Sequence, residues 1–202
     1  MKKIKLFFAL FAMLALGVGN AWGAGNYVKV TSAPSDWSGD YLIVYENGNL
    51  AFNGALTADA AKNTISVTIT DGKITSTANI DKAKFTIAKS GTSYTIKAAS
   101  GSYIGQTADG NKVLYSTSTQ YANSISLNDD GTAHIVASGK PVLRYNATSG
   151  QERFRYFKST TYSSQKAIHL YKYVEEQSGG STEPVVSLLP KFIHFWCSLF
   201  AG

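Results

Sequence analysis

The residues best suited to chemistry concentrate in one stretch, Arg144-Tyr145-Asn146 followed by Gln151-Glu152-Arg153-Phe154-Arg155-Tyr156-Phe157-Lys158. Alternation along a strand puts Arg153 and Arg155 on one face. Guanidinium and amide groups donate to hydroxyls and carboxylates, and aromatic rings give flat platforms for sugar rings. The pattern suits a carbohydrate or glycoconjugate, with Arg144, Tyr145, Asn146, Arg153 and Arg155 as ligand-binding candidates. The same mix suits single-stranded nucleic acid, held by stacking plus a basic strip of Arg153, Arg155 and Lys158. A structural reading competes with both. Half of any strand faces the core, so Phe154 and Tyr156, or their alternates, are core residues, while the arginines lie over rings and pair with Glu152 or nearby acids. A second cluster, Tyr103, Gln106, Asn111 and Tyr115, occupies the equivalent place one repeat earlier. Repetition of a tyrosine-plus-amide group favours a multivalent binder.

Other chemistries find little support. His134, His169 and His194 are far apart in sequence and form no ligand pair, and no Cys-x-x-Cys occurs, so no zinc site is expected. Asp129-Asp130-Gly131 lacks the alternating oxygen ligands of a calcium loop and reads as a type I′ turn. No Gly-x-Ser-x-Gly elbow and no glycine-rich phosphate loop is present. A non-catalytic module without cofactor or metal is the expectation.

Short strands must position these residues. Strand-like runs cover 27–31, 41–45, 64–70, 84–88, 93–98, 103–105, 112–116, 124–127, 133–137, 142–145, 154–157 and 167–173. In 64–70, Ile65, Val67 and Ile69 share one face, and the continuous apolar run 41–45 reads as a core strand. Asn47-Gly48, Asn53-Gly54, Asp71-Gly72, Asp109-Gly110 and Asp130-Gly131 are dipeptides that accept positive φ in tight hairpins. Residues 57–62 offer one short helical turn.

A weak repeat links these runs. Strands 84–88, 93–98 and 103–105, joined by Gly turns, recur forty residues later as 124–127, 133–137 and 142–145, and 41–69 reads as a diverged first copy. The fold expected is all-β, a closed β-barrel resembling a β-trefoil with three repeats of about 40 residues. Pairing of 27–31 with 168–173 would close the ring. Another small barrel or a β-sandwich is the alternative.

The ends carry their own signals. Residues 1–23 have a basic start (Lys2, Lys3, Lys5), an apolar stretch too short to span a bilayer, and Ala21-Trp22-Gly23 as a cleavage site. The expectation is a signal peptide cut near Gly23 and a secreted or periplasmic product without a transmembrane span. Its removal takes the formal charge from +6 to +3, too little to argue for nucleic acid. Cys197 is the single cysteine, so the domain at 24–174 gains nothing from an internal disulfide. Residues 175–184 read as a flexible linker, and 185–202 as an apolar tail for which a small hydrophobic anchor, a terminal strand pair and an out-of-frame or truncated end compete; the last is favoured and implies a downstream domain lost from this chain.

The string from Leu143 to Ser159, then 165–172, resembles the end of a recurrent secreted domain of Bacteroidetes exported multidomain proteins, and 38–46, 51–54 and 100–107 look like its earlier landmarks. The resemblance spans about 26–174. It implies an accessory module, in some members beside nuclease or Ig-like parts, and brings no binding or catalytic residues with it.

Overall fold

The computed structural model describes residues 25–56 and 59–176. They form fourteen strands in one antiparallel sheet system, with three single-turn 3-10 segments at Glu46–Gly48, Ile80–Ala83 and Tyr162–Ser164. In chain order the strands are β1 (Gly25–Lys29), β2 (Gly39–Tyr45), β3 (Leu50–Phe52), β4 (Thr64–Ser66), β5 (Lys73–Thr75), β6 (Phe85–Ser90), β7 (Ser93–Ala98), β8 (Tyr103–Gly105), β9 (Leu114–Ser116), β10 (Asn123–Leu127), β11 (Ala133–Ala137), β12 (Val142–Asn146), β13 (Arg153–Phe157) and β14 (His169–Glu175).

The chain is poor in helix formers and rich in β-branched and aromatic residues at alternate positions, which accounts for strands almost throughout. Of the expected helical turn, 59–62 is a non-helical turn with Lys62 at φ 60°, and Thr57 and Ala58 lie outside the described residues. The segments expected as signal peptide (1–23) and apolar tail (185–202) likewise lie outside them, as does the expected linker beyond Glu176, while Glu175 belongs to β14.

The same antiparallel path occurs three times. β6 pairs β7, β7 pairs β8 and β8 pairs β9, and β10, β11, β12 and β13 follow in the same way. In the remaining unit the path is β14, β2, β3, β4, so its first strand comes from the far end of the chain. The registers agree in two units: Lys97↔Tyr103 and Val136↔Val142 each flank a turn closed by the same backbone bonds, Ala98 N to Ser102 O and Ala137 N to Pro141 O. The ladders run as an open path from β13 to β5. Beyond the ladders, two isolated bridges, Ala133↔Ile168 and Tyr145↔Lys166, tie β11 and β12 to the segment entering β14.

The expected pairing of the first strand with the last is present, with Tyr27 opposite Tyr173 and Lys29 opposite Tyr171. It does not close a ring. β1 lies outside the threefold path and carries β5 on its other edge, because β14 already uses its second edge for β2.

Two apolar clusters explain the patterning. Tyr41 and Ile43 of β2 pack in the larger one with Phe52, Phe85, Ile96 and Phe154, while Leu42 and Val44 pack in the smaller with Tyr27, Ile74 and Tyr171. Both faces of β2 are covered, so its sequence is continuously apolar instead of alternating. Each such burial contributes about 1.5–3 kcal/mol. The 64–70 run keeps Ile65, Val67 and Ile69 against the smaller cluster, although regular pairing ends at Ser66.

Turn chemistry is mixed. Asp71 and Gly72 both take positive φ, 50° and 70°, as a type I′ hairpin requires. Of the Asp130-Gly131 pair only Gly131 does, at 77°, so the I′ expectation is corrected there. Asp130 instead closes the turn with its side chain, accepting from the Thr132 amide at 2.9 Å and the Thr132 hydroxyl at 2.6 Å. At Asp109-Gly110 neither residue has positive φ.

Candidate functional site

The hairpin β8–β9 carries the first group. Tyr103 is half-buried; its hydroxyl accepts from Gln120 Nε2 at 3.3 Å and the Lys97 ammonium lies 5.4 Å from its ring centre. Gln106 is buried and engaged within the fold: Oε1 accepts the amides of Thr107 (2.9 Å) and Ala108 (3.3 Å), and Nε2 donates to the Lys112 carbonyl at 3.4 Å. The Gln106 carbonyl also receives the Gly139 amide at 3.2 Å. That approach needs glycine, because a Cβ on Gly139 would stand 2.4 Å from Ala108 N. Asn111 is exposed, and its Oδ1 accepts the Lys158 amide at 2.8 Å. Tyr115, on the strand paired to Tyr103, is 52% exposed.

The second group is divided by strand alternation. Tyr145 points into the larger cluster, 3% exposed, stacked on Tyr45 at 4.5 Å and 4.9 Å from Phe154. Its ring faces are covered by protein. Asn146 accepts the Thr148 amide at 2.9 Å. Arg153 Nε donates to the Gln151 carbonyl at 3.1 Å and its Nη1 to the Asp59 carbonyl at 3.0 Å. Arg155 forms a two-point ion pair with the Asp59 carboxylate, through Nε at 2.7 Å and through Nη2. The acid that the arginines were expected to need is therefore Asp59, not Glu152, whose Oε2 is buried without a hydrogen-bond partner. Arg155 is thus paired with an acid, and Arg153, still charged, is held by two backbone carbonyls, so of the basic strip suited to nucleic acid only Arg155 is neutralised.

Arg144 differs from all of these. It is 8% exposed, and among the described residues its guanidinium makes no hydrogen bond or ion pair; Nε is buried and unpartnered. It rests on the face of Tyr162, 5.2 Å from the ring centre. His134 touches the same ring, edge-on at 5.7 Å. Burial, then the charge of Arg144, holds the His134 imidazole below its ordinary pKa. Burial also lowers the Arg144 guanidinium, against the opposing pull of Tyr162 and Asp130.

Asp130 also acts on His169, which belongs to a polar group that the sequence did not reveal. Glu46 accepts from Lys29 at 2.8 Å and from the Tyr171 hydroxyl at 2.7 Å, and His169 Nδ1 stands 3.5 Å away. Burial raises the Glu46 pKa, but Lys29, Tyr171 and His169 outweigh it and the net shift is downward. Burial likewise lowers His169, more than Glu46 raises it. Both folded values lie below the unfolded ones, so the folded chain binds fewer protons and stability falls as pH falls. Full stability is expected above about pH 6.5, with loss beginning as the histidines charge and deepening as Glu46 protonates. Denaturant midpoints measured from pH 7 down to pH 3 should show this, with a shallower acid limb in Glu46→Gln.

A hydroxyl-rich cleft of about 540 Å³ opens elsewhere, between the arms of the Asp71–Gly72 hairpin, and contains none of the candidate residues. Among the described residues no group of three His, Cys, Asp or Glu is placed to hold a metal ion, and no helix is long and apolar enough to cross a membrane.

The chain is thus an antiparallel all-β protein in which, among the described residues, the buried guanidinium of Arg144 has no hydrogen bond or ion pair. No family model and no curated protein matches it. Among solved structures it is similar to the ricin B-like lectin of Macrolepiota procera in complex with lactose, at 14% identity and a TM-score of 0.40, covering 69% of this chain and 90% of that one. A likeness of that size transfers neither a residue nor a ligand.

Proposed function

We propose that the chain is an exported, non-catalytic binding module with a β-trefoil barrel, and that it takes carbohydrate or glycoconjugate on the β8–β9 hairpin. The threefold strand path supports the barrel. The Ala133↔Ile168 bridge occupies the place that Tyr94↔Asn123 and the β2–β6 ladder occupy between the other units. A ring of six strands, β2, β6, β7, β10, β11 and β14, follows from counting that bridge as its closure.

The observation that carries the glycan reading is the Tyr115 ring, left open to solvent among polar neighbours while most of the other aromatics described are packed. The apolar face of a sugar covers such a ring. Tyr115 is opposite Ile104, whereas Lys97, Tyr103 and Ser116 share the other face of the hairpin, so the ring itself is the part of the site that the register supports. Because Tyr115 is exposed, Tyr115→Ala should leave stability within about 0.5 kcal/mol. It should weaken glycan affinity by about tenfold, the loss of one stacking contact. A glycan array followed by titration of wild type and Tyr115→Ala checks this. Absence of any saturable glycan binding, or equal affinity in the variant, would reject the reading.

A further inference from the structure

Nearly every buried polar group described has an internal partner. The unpartnered buried side-chain atoms are Tyr41 Oη, His134 Nδ1, Arg144 Nε, Glu152 Oε2 and His169 Nδ1. His134 and Arg144 belong to one niche. β11 and β12 pair at Val136↔Val142 and then part to take up Ile168 and Lys166, and His134 and Arg144 meet at the Tyr162 ring. Alternation turns both away from the core that holds Ile135, Leu143 and Tyr145. Tyr162, from its 3-10 turn, covers the guanidinium.

A buried N–H without an acceptor costs about 1–3 kcal/mol, and Arg144 Nε is such a group, which calls for a ligand, ion or water at the guanidinium. Asp130 is the nearest acid acting on it, yet its carboxylate is turned to Thr132 and makes no ion pair with Arg144. We infer that Arg144, with His134 beside it and Tyr162 over it, is a binding site for a carboxylate group.

Geometry and charge choose carboxylate over other anions. The fork of a guanidinium matches a planar two-oxygen acceptor. Burial and Arg144 both disfavour the charged form of His134, so the guanidinium is the charge this niche presents, with Asp130 acting on it. One negative charge balances it; a phosphate dianion would leave an excess of negative charge beside Asp130. His134 Nδ1 is buried beside the guanidinium without a hydrogen-bond partner.

The inference stands apart from the glycan reading, since Tyr115 and Arg144 lie on different strand pairs, and the two are tested by different ligands. The probe is the Arg144 Nε–H resonance of the full chain labelled with 15N-arginine, assigned by its loss in Arg144→Lys. Acetate, glucuronate, glucose and inorganic sulfate are titrated at constant ionic strength. Saturable movement with acetate and glucuronate is expected, none with glucose, and at least tenfold weaker response to sulfate. Tyr162→Ala should weaken the acetate response severalfold. No saturable shift with either carboxylate, or one matched by glucose or sulfate, would overturn the assignment. Should Arg144→Lys fail to fold, the wild-type resonance that moves in a Tyr162-dependent way still decides.

Discussion

Tyr145→Ala is expected to destabilise the domain by about 3–5 kcal/mol, the range for truncating a fully buried aromatic. The ring is sandwiched between Tyr45 and Phe154 in the larger cluster, at 4.5 and 4.9 Å, so its removal opens a cavity and breaks an aromatic stack. Tyr145→Phe keeps the ring and should change stability by less than about 1 kcal/mol, since no hydrogen bond to its hydroxyl is seen among the described residues. Equilibrium denaturation of both variants distinguishes a core tyrosine from a ligand platform. A platform would give the opposite pattern: near-native stability in Tyr145→Ala and a direct loss of binding.

The second large effect is expected at Asn63, which is 3% exposed. Its Nδ2 donates to the Phe154 carbonyl at 2.9 Å and its Oδ1 accepts the Phe154 amide at 2.8 Å. β13 ends the ladder path, so on its open edge the Asn63 amide plays the part of a neighbouring strand. Asn63→Ala leaves a buried N–H and a buried C=O of β13 without those partners. The expected cost is about 3 kcal/mol, at roughly 1–3 kcal/mol per unmet group. Hydrogen exchange should show the Phe154 amide losing protection in the variant; unchanged protection would mean that water replaces the side chain without penalty.

Most strands were legible as β-branched or aromatic runs bounded by turn residues, three-residue β8 among them. β7, β11 and β8 fall where the residue pattern puts them, and most others shift by one or two positions. β3 and β5, three residues each, have too little length to show a period, and both were missed. The threefold path was legible in part. The repeat beginning at Phe85 and the one beginning at Asn123 could be aligned along the sequence, but the third unit borrows β14, and no local pattern announces a strand that joins its unit across the whole chain.

The candidate site was legible to the level of residue type. Arg144, Tyr145 and Arg155 were singled out together, yet they meet three different fates. Neighbours on a strand face opposite ways, which separates Arg144 from Tyr145. What separates Arg144 from Arg155 is Asp59, an acid 96 residues away that only the folded chain brings to Arg155. The histidines had been set aside for want of sequence partners. The fold gives His134 to Arg144 and His169 to Glu46, again across long separations.

The place of β14 has a consequence for the timing of assembly. It is hydrogen-bonded to β1 on one edge and β2 on the other, so residues 169–175 lie between residues 25–29 and 39–45. A ribosome delivers the chain from the front, and both early strands must wait for the late one. Until then β1 and β2 have no common partner, and Tyr41, Leu42 and Ile43 lack Leu170 and Tyr171. Such non-local pairing slows folding, because a long loop must close before its contacts form. The last few residues of the domain therefore act as a latch, and a nascent chain stopped short of residue 169 stays open however long it is left.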